Sequence, residues 1–263
     1  MSSTVASPTP QLPSWQASVA RAFSRAAPQY DALASAQRQI GETLWLALPP
    51  NAKRVLDLGC GTGYWTQRLA ALYPHASITG LDIAPGMLAH AQALYGEVIT
   101  WQQGDAAALP FKNNHFDLIV SNLAIQWCSD VSAVIKELAR VLTPGGEAHI
   151  TTLLPGTLKE VATAWQRPEA LLQMPDASTV EDAVARSGLT LVRSTTEQQQ
   201  FYYPDLSAVM ASIKGVGAQV TRSNAQLTRR ELAAAQARFE TLREPQGLPV
   251  SYHCFTLHLE KTS

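Results

Sequence analysis

Short apolar runs alternate with amphipathic stretches through the middle of the chain. Apolar runs of about four to eight residues between turn residues predict buried strands. The amphipathic stretches between them predict helices, and strands that alternate with helices form βαβ units and a parallel sheet. The strands predicted in this part are Arg54 to Leu58, Ser77 to Leu81, Val98 to Gln102, Phe116 to Val120 and Glu147 to Thr152.

The helices of this part are predicted to begin near Gly63, near Pro85 and at Ser132, and Pro144-Gly145-Gly146 is expected to end the third after Leu142. The pattern is less regular from residue 153 to 250, where we expect helical cap insertions. Helices are predicted there at Thr157 to Trp165, Val180 to Ser187, Leu206 to Lys214 and Thr228 to Leu242, and the sixth and seventh strands at Leu189 to Phe201 and Val250 to Leu259.

The N-terminal segment lies outside this alternation. From Trp15 to Leu48 apolar residues recur at helical spacing, with Pro28 interrupting, which predicts two helices. Because an apolar helical segment must cover something, residues 14–48 are expected to form a lid on a single domain that spans 14–263. Residues 1–13 are rich in Ser, Thr and Pro and are predicted to be a disordered tail.

Composition and charge narrow the class of protein. A formal net charge of -1 is not typical of nucleic-acid-binding surfaces, so no nucleic-acid partner is predicted. No segment approaches the roughly 18 uninterrupted apolar residues of a membrane span. The three cysteines form no C-x-x-C pair and the six histidines are scattered, which predicts no metal site and a reducing, cytoplasmic location.

A glycine loop follows the first strand and brings backbone close to a ligand at the carboxyl edge of the sheet. It reads Asp57-Leu58-Gly59-Cys60-Gly61-Thr62-Gly63. The dinucleotide pattern G-x-G-x-x-G/A fits neither frame, since Tyr64 or Thr66 stands at its last position, so an oxidoreductase is disfavoured. The Asp57 carboxylate would repel a pyrophosphate and suits the cationic amino group of a methionine moiety, which predicts a ligand less anionic than NAD.

Two further acidic residues follow strands two and three. Asp82, with Ile83 beside it, can accept hydrogen bonds from ribose hydroxyls. Asp105 can accept from an adenine amino group, and the Ala106 N–H can donate to the ring. Each is also a common helix cap or turn residue. Together with the loop they favour S-adenosylmethionine as the cofactor and resemble the motifs of class I methyltransferases.

A narrower resemblance is to the malonyl-[acyl-carrier protein] O-methyltransferases of biotin synthesis. The segments that carry it are Ala22-Phe23-Ser24-Arg25-Ala26-Ala27-Pro28-Gln29-Tyr30-Asp31, Ser121-Asn122-Leu123-Ala124-Ile125-Gln126-Trp127-Cys128, Pro155-Gly156-Thr157-Leu158, Ile213-Lys214-Gly215-Val216-Gly217-Ala218, Leu227-Thr228-Arg229 and Ser251-Tyr252-His253. The resemblance implies an α/β Rossmann-like fold with a seven-stranded, mostly parallel sheet whose last strand is antiparallel. It also implies that Asn122 belongs to the cofactor site.

The implied reaction is methylation of the free carboxylate of malonyl-acyl carrier protein. A carboxylate is ionised at neutral pH, since model carboxyls titrate near about 4, so no general base is needed. A hydroxyl or a cation should orient it, and the candidates are Tyr30, Tyr252, Arg167 and Lys214. The linker after Trp165 is shorter than is common in the family. Arg167 is the candidate that lies in this shortened linker.

The last candidate feature is a local excess of positive charge. From Leu206 to Arg243 there are six basic and two acidic residues, a net charge of +4, including Arg222, Arg229 and Arg230. Acyl carrier proteins are acidic, so this segment is predicted to dock the carrier, although a solvated helix face is an equal alternative. The alternatives for function are a small-molecule O- or C-methyltransferase and a non-catalytic S-adenosylmethionine-binding module.

Overall fold

The computed structural model of the chain describes residues 14–166, 171–215 and 228–262. Residues 1–13, Arg167 and Arg222, which carry predictions from the sequence, lie outside the described residues. The side chains of Lys214 and Arg229 also lie outside the described part of the chain. Across the three described segments, no helix is both long and apolar enough to cross a bilayer.

The strands form one seven-stranded sheet. They are β1 Arg54–Leu58, β2 Ser77–Asp82, β3 Thr100–Gln103, β4 Phe116–Asn122, β5 Leu142–Leu153, β6 Thr190–Tyr203 and β7 Leu248–Glu260. Their order in the sheet is β3-β2-β1-β4-β5-β7-β6. The first five strands pair in parallel, and β7 is antiparallel to both β5 and β6. The predicted sheet, mostly parallel with an antiparallel last strand, is confirmed.

The helices pack on both faces of this sheet. They are α1 Ser14–Leu33, α2 Ser35–Trp45, α3 Tyr64–Leu72, α4 Pro85–Tyr95, α5 Val131–Val141, α6 Lys159–Trp165, α7 Ala177–Ala185, α8 Leu206–Gly215 and α9 Arg229–Glu240. A short 3-10 helix, Ile125–Trp127, follows β4.

Strand β1 is buried on both faces. Leu56 and Leu58 enter the core beneath α5 and α7, whereas Val55 enters the core beneath α2 and α3, because successive strand side chains point to opposite faces. Burial of apolar side chains on both sides holds the strand in place. The packing of β1 therefore fixes the position of the residues that follow it at the carboxyl edge of the sheet.

The segment from 153 to 250 has a core of its own. Apolar side chains from α6, α8 and α9 pack against the first residues of β7, and Phe239 of α9 is fully buried among them. Ile40 of α2 and Tyr252 of β7 belong to the same cluster. The N-terminal helices and the cap insertions are therefore packed together above the carboxyl edge of the sheet.

The prediction that Pro28 interrupts the first helix is wrong. Helix α1 continues through Pro28, and the break comes at Ala34, whose backbone dihedrals of -89° and 29° are not helical. Proline removes one helical hydrogen bond, but Pro28 is exposed while its neighbours Ala26 and Ala27 are buried against α4. Tertiary packing of the buried face offsets the lost bond.

The prediction that Pro144-Gly145-Gly146 separates a helix from a strand is also wrong, since β5 already begins at Leu142. Leu142 pairs with Phe116, and Glu147 pairs with Leu118, so the extra residues form a bulge. The Gly145 N–H donates to the Lys261 carbonyl (2.7 Å), and its φ of +74° explains the glycine at this position.

The histidines are not all separate in space. His149 on β5 and His258 on β7 are directly opposite each other in the antiparallel pair, and their rings stack with centroids 4.3 Å apart. The sequence did not predict this contact, because it depends on the pairing register of two strands that are far apart in the chain.

Candidate active site

The glycine loop after β1 turns tightly against the neighbouring strand. Gly59, Gly61 and Gly63 have φ of +76°, +54° and +85°, a region that favours glycine. The Gly59 N–H donates to the Leu81 carbonyl at the end of β2 (2.7 Å). A Cβ at Gly59 would lie 2.2 Å from the Ala124 Cβ, so the loop is confined between β2 and the segment after β4.

Asp82 at the end of β2 holds the tip of this loop. Its Oδ2 accepts from the Gly61 N–H (2.9 Å) and its Oδ1 from the Ala84 N–H (2.8 Å). Burial raises the pKa of Asp82, and the backbone hydrogen bonds from Ala84 and Gly61 oppose that rise. A carboxylate has about four acceptor positions, so Asp82 keeps acceptor capacity for a hydroxyl of a ligand.

A cavity with about 750 Å³ of empty space, partly open to solvent, lies over this loop. Most of the residues predicted to bind cofactor lie on its wall, together with Tyr30: they are Gly59, Gly61, Asp82, Ile83, Asp105, Ala106 and Asn122. The far wall comes from α1, and sequence reasoning had not assigned Gln16 and Val19 of that helix to a site.

Asp57, Cys60 and Gly63 do not lie on the wall of this cavity. Asp57 is buried beneath the loop, where its Oδ2 accepts from the Thr66 hydroxyl (2.5 Å). Burial raises the pKa of Asp57 to about 7; the Thr66 hydrogen bond opposes this rise and Asp82 adds to it. The contact of Asp57 with a cationic amino group stays a prediction.

The residues after β3 and β4 are held by their own hydrogen bonds. The Asp105 Oδ1 accepts from the Ala107 N–H (2.9 Å), which leaves the other oxygen for a ligand. The Asn122 side chain donates to the Gln37 carbonyl (3.0 Å) and accepts from the Thr151 hydroxyl (2.6 Å). Asn122 therefore joins α2 to the sheet at the edge of the cavity.

A second cavity of about 670 Å³ of empty space adjoins the first. The two cavities share four wall residues: Phe23, Tyr30, Leu123 and Trp127. The second cavity extends between the N-terminal helices and the cap insertions, and Tyr252 lies on its wall. Tyr30 thus faces the first cavity and the second, a position suited to the junction between cofactor and acceptor.

The two tyrosines are neutral hydrogen-bond donors. Burial raises the pKa of Tyr30 above its usual range, with Asp82 and Asp31 adding to the rise and Arg38 opposing it. Burial likewise raises the pKa of Tyr252. Both phenols therefore keep their protons at neutral pH and can donate to an anion, but they cannot serve as phenolate bases.

Two glutamines in the N-terminal helices are functional candidates that sequence reasoning missed. The Oε1 atoms of Gln16 and Gln37 are buried without a hydrogen-bond partner in the described part of the chain. Gln16 lines the first cavity, and Gln37, like Tyr252, lines the second. A buried polar atom without a partner is costly, so a ligand is the natural partner for each.

Comparisons with known proteins agree with this geometry. Residues 55–146 match a family model described as a methyltransferase domain. The malonyl-[acyl-carrier protein] O-methyltransferase of Erwinia pyrifoliae is 39% identical over 259 residues, which cover 96% of this chain and 95% of that protein. The biotin biosynthesis bifunctional protein BioHC of Cellvibrio japonicus is 39% identical over 251 residues, which cover 92% of this chain but only 50% of that longer protein.

A solved structure with the same fold is phosphoethanolamine N-methyltransferase 2 of Haemonchus contortus in complex with S-adenosyl-L-methionine. It has a TM-score of 0.61 and 17% identity, and the match covers 96% of this chain and 61% of that chain. The likeness to this structure shows a shared fold. Membership of the methyltransferase family gives S-adenosylmethionine as the cofactor. The residues fit this group, since a Cβ at Gly61 would meet nothing within 4 Å and Asp82 has acceptor positions left for the ribose.

We predict that Gly61→Ala weakens binding of S-adenosylhomocysteine about 10- to 100-fold, because the added methyl occupies cofactor space and such overpacking costs about 1–3 kcal/mol. Gly188→Ala is the matched control: Gly188 also has positive φ (+85°) and open space, but it lies between α7 and β6. Both variants carry similar backbone strain. Calorimetric titration should show weakened binding only for Gly61→Ala, and equal affinity in the two variants would contradict the placement of the loop.

We predict a pH-dependent stability term from Asp57 in the cofactor-free protein. With its folded pKa at about 7 and an unfolded value near 3.8, the folded protein holds a proton between these values that the unfolded chain has lost. The free energy of unfolding should fall as pH rises through this window, by about 1.4 kcal/mol per pH unit. Urea unfolding of Asp57→Asn between pH 5 and about 7 should lack this part of the slope. Parallel curves for the two proteins would rule out the term.

Proposed function

This chain belongs to the malonyl-[acyl-carrier protein] O-methyltransferase family, and we propose that it methylates the free carboxylate of a malonyl thioester on an acyl carrier protein. The observation that carries the proposal is the second cavity. Among its described lining residues none is a carboxylate, an imidazole or a cation. An acceptor that must lose a proton would need a base there, whereas a carboxylate is already ionised at neutral pH.

The polar groups of this cavity suit an anion without being charged. Tyr30, Tyr252, Gln37, Gln126 and Thr157 line this cavity, and each side chain carries a hydroxyl or amide hydrogen. Neutral donors can orient a carboxylate without neutralising its negative charge. The predicted cations Arg167 and Lys214 would add to this set, and their part in it stays a proposal.

Bound S-adenosylmethionine supplies an activated methyl group next to a positive charge. The residues of this chain have to align the carboxylate with that methyl and exclude water, a positioning effect worth about 7–11 kcal/mol in favourable cases. Tyr30 stands where the two cavities meet, and the Phe23 and Trp127 rings pack edge to face beside it, with centroids 5.2 Å apart. An apolar wall favours a step in which opposite charges neutralise each other.

The N-terminal helices act as the lid of this site in our proposal. The Trp15 indole donates to the Trp127 carbonyl (2.9 Å), and the Thr62 hydroxyl of the glycine loop donates to Asp31 of α1 (2.7 Å). Contacts of this kind join the lid to both walls of the first cavity. Cofactor binding and lid closure should therefore assist each other.

The long acyl arm would enter between the lid and the cap insertions. The second cavity continues past Tyr252 to Leu171, Leu172, Met174 and Ile213, which give it an apolar outer part. A phosphopantetheine arm that carries the malonyl group could lie against this wall with its charged end at Tyr30.

A cytoplasmic location, the predicted one, agrees with Cys60, Cys128 and Cys254 being free thiols.

The test of the proposed function is mass measurement of malonyl-acyl carrier protein after incubation with the enzyme and S-adenosylmethionine. One added methyl is expected, and base treatment should release it as methanol because the product is an ester. Free malonate as acceptor distinguishes a small-molecule methyltransferase. Cofactor binding without a methylated product from either acceptor would favour a non-catalytic binding module and contradict the proposal.

We predict that Tyr30→Phe lowers kcat about 10- to 100-fold with little change in S-adenosylhomocysteine affinity, since a hydrogen bond to a charged group contributes about 1.5–3 kcal/mol. Tyr73→Phe is the control, because Tyr73 is buried but donates to the Pro49 carbonyl (2.6 Å) away from both cavities. An unchanged kcat in Tyr30→Phe would remove Tyr30 from the acceptor site.

The carrier docks, in our proposal, on the basic segment from Leu206 to Arg243. Two of its cations have local partners: Arg238 donates to the Ala164 carbonyl (2.6 Å), and Arg243 pairs with Glu240 (2.7 Å). Arg230 is exposed at the start of α9. The docking charge therefore rests on Arg230 and on the predicted residues Arg222 and Arg229.

We predict that charge reversal at Arg222, Arg229 and Arg230 raises KM for malonyl-acyl carrier protein at low salt about tenfold or more, and flattens its salt dependence. The KM for S-adenosylmethionine should not change. Arg186→Glu is the control, because Arg186 is an exposed cation on a different part of the surface. If carrier KM and salt slope match those of the control, the carrier binds elsewhere.

A further inference from the structure

Two histidines and a glutamate converge on the sheet outside both cavities. The Glu147 Oε2 atom lies 2.9 Å from the Nε2 atom of His149 and 3.0 Å from the Nε2 atom of His258. One potential ligand atom from each of the three residues lies within 4.8 Å of the others. None of the three residues lines either cavity.

The pairing of β5 with β7 builds this cluster. Glu147 is opposite Glu260, and His149 is opposite His258, so four side chains from the two strands share one face of the sheet. Carboxylates directly opposite each other destabilise a strand pair. A cation beside Glu147 and Glu260 would reduce that repulsion. The pairing of these two residues is therefore a second reason, separate from the histidine geometry, to expect a cation here.

The surroundings of the cluster are dry on one side and open on the other. The parallel pairing with β4 places Leu118 and Val120 next to Glu147 and His149. His149 is 1% exposed, while the Glu147 and His258 side chains are 29% and 27% exposed, so solvent reaches one face. Arg193 is opposite His258 on β6, but its side chain is exposed and its charge is screened by solvent.

We propose that Glu147, His149 and His258 bind one divalent transition-metal ion of the zinc type, which links β5 to β7. Two imidazole nitrogens and one carboxylate oxygen are a ligand set that zinc accepts, and the nitrogen donors disfavour Mg²⁺ and Ca²⁺. Neighbouring ligand atoms around zinc are separated by little more than the distances of 2.9 and 3.0 Å between these groups. Water or Glu260 would complete the coordination.

The role of this ion is structural. It bonds the last parallel strand to the antiparallel strand that carries Tyr252, and it makes no contact with the reacting groups. Metal bound only by the folded state stabilises that state. The expected consequence is a higher Tm, with unchanged binding of S-adenosylhomocysteine.

The test uses the full chain without a histidine tag, freed of metal by chelation and titrated with Zn²⁺ in competition with a chromophoric chelator. The variants are Glu147→Gln and His258→Gln, whose side chains are partly exposed and therefore tolerate replacement. His75→Gln is the control, since His75 is an exposed histidine between α3 and β2. Melting curves with and without Zn²⁺, and with Mg²⁺ in place of Zn²⁺, supply a second measurement.

We expect one tightly bound Zn²⁺ per chain in the wild type and in His75→Gln, and binding at least about tenfold weaker in the other two variants. Zn²⁺ should raise Tm by several degrees only where it binds tightly, and Mg²⁺ should have no such effect. The proposal is overturned if the wild type binds no stoichiometric Zn²⁺. It is also overturned if Glu147→Gln and His258→Gln bind as well as the wild type, since the three cysteines or other groups would then be the ligands.

Discussion

The carboxyl end of β2 holds the loop that follows β1 through main-chain hydrogen bonds. Gly59 and Cys60 donate to the Leu81 carbonyl, and Gly61 donates to the Asp82 side chain. Three glycines with positive φ are needed to follow this path. The same path buries Asp57, forms the floor of the first cavity and brings Thr62 to α1, so the proposed cofactor site and its proposed lid depend on one set of bonds.

The second cavity, in which we propose that the acceptor carboxylate binds, has no fixed counter-charge among its described lining residues. Hydroxyl and amide groups on its wall can orient a carboxylate. The Tyr30 and Tyr252 phenols are protonated at neutral pH, and burial raises the pKa of both further. A buried base would raise the free energy of the folded state when no substrate is bound. An acceptor that arrives already ionised would make such a base unnecessary.

Local patterns predicted the strands, the glycine loop and the acidic residues at the carboxyl ends of β2 and β3, because these features depend on neighbours in sequence. Features that depend on long-range contacts were missed. Gln16 and Gln37 are polar positions on amphipathic helices, which ordinarily indicates a solvent-facing side chain, and only packing of α1 and α2 over the sheet buries them. The His149 and His258 pair depends on strand register, and the bulge at Gly145 depends on a bond to Lys261.

The position of β7 between β5 and β6 has a consequence for folding during translation. Strand β6 pairs with no strand other than β7 in the described sheet, yet β7 follows it in the chain after α8 and α9. A nascent chain can therefore pair β1 to β5 during translation. Strand β6 stays unpaired until β7 has emerged from the ribosome. During that interval its exposed edge is the part of the polypeptide most open to a chaperone or to mispairing with another chain.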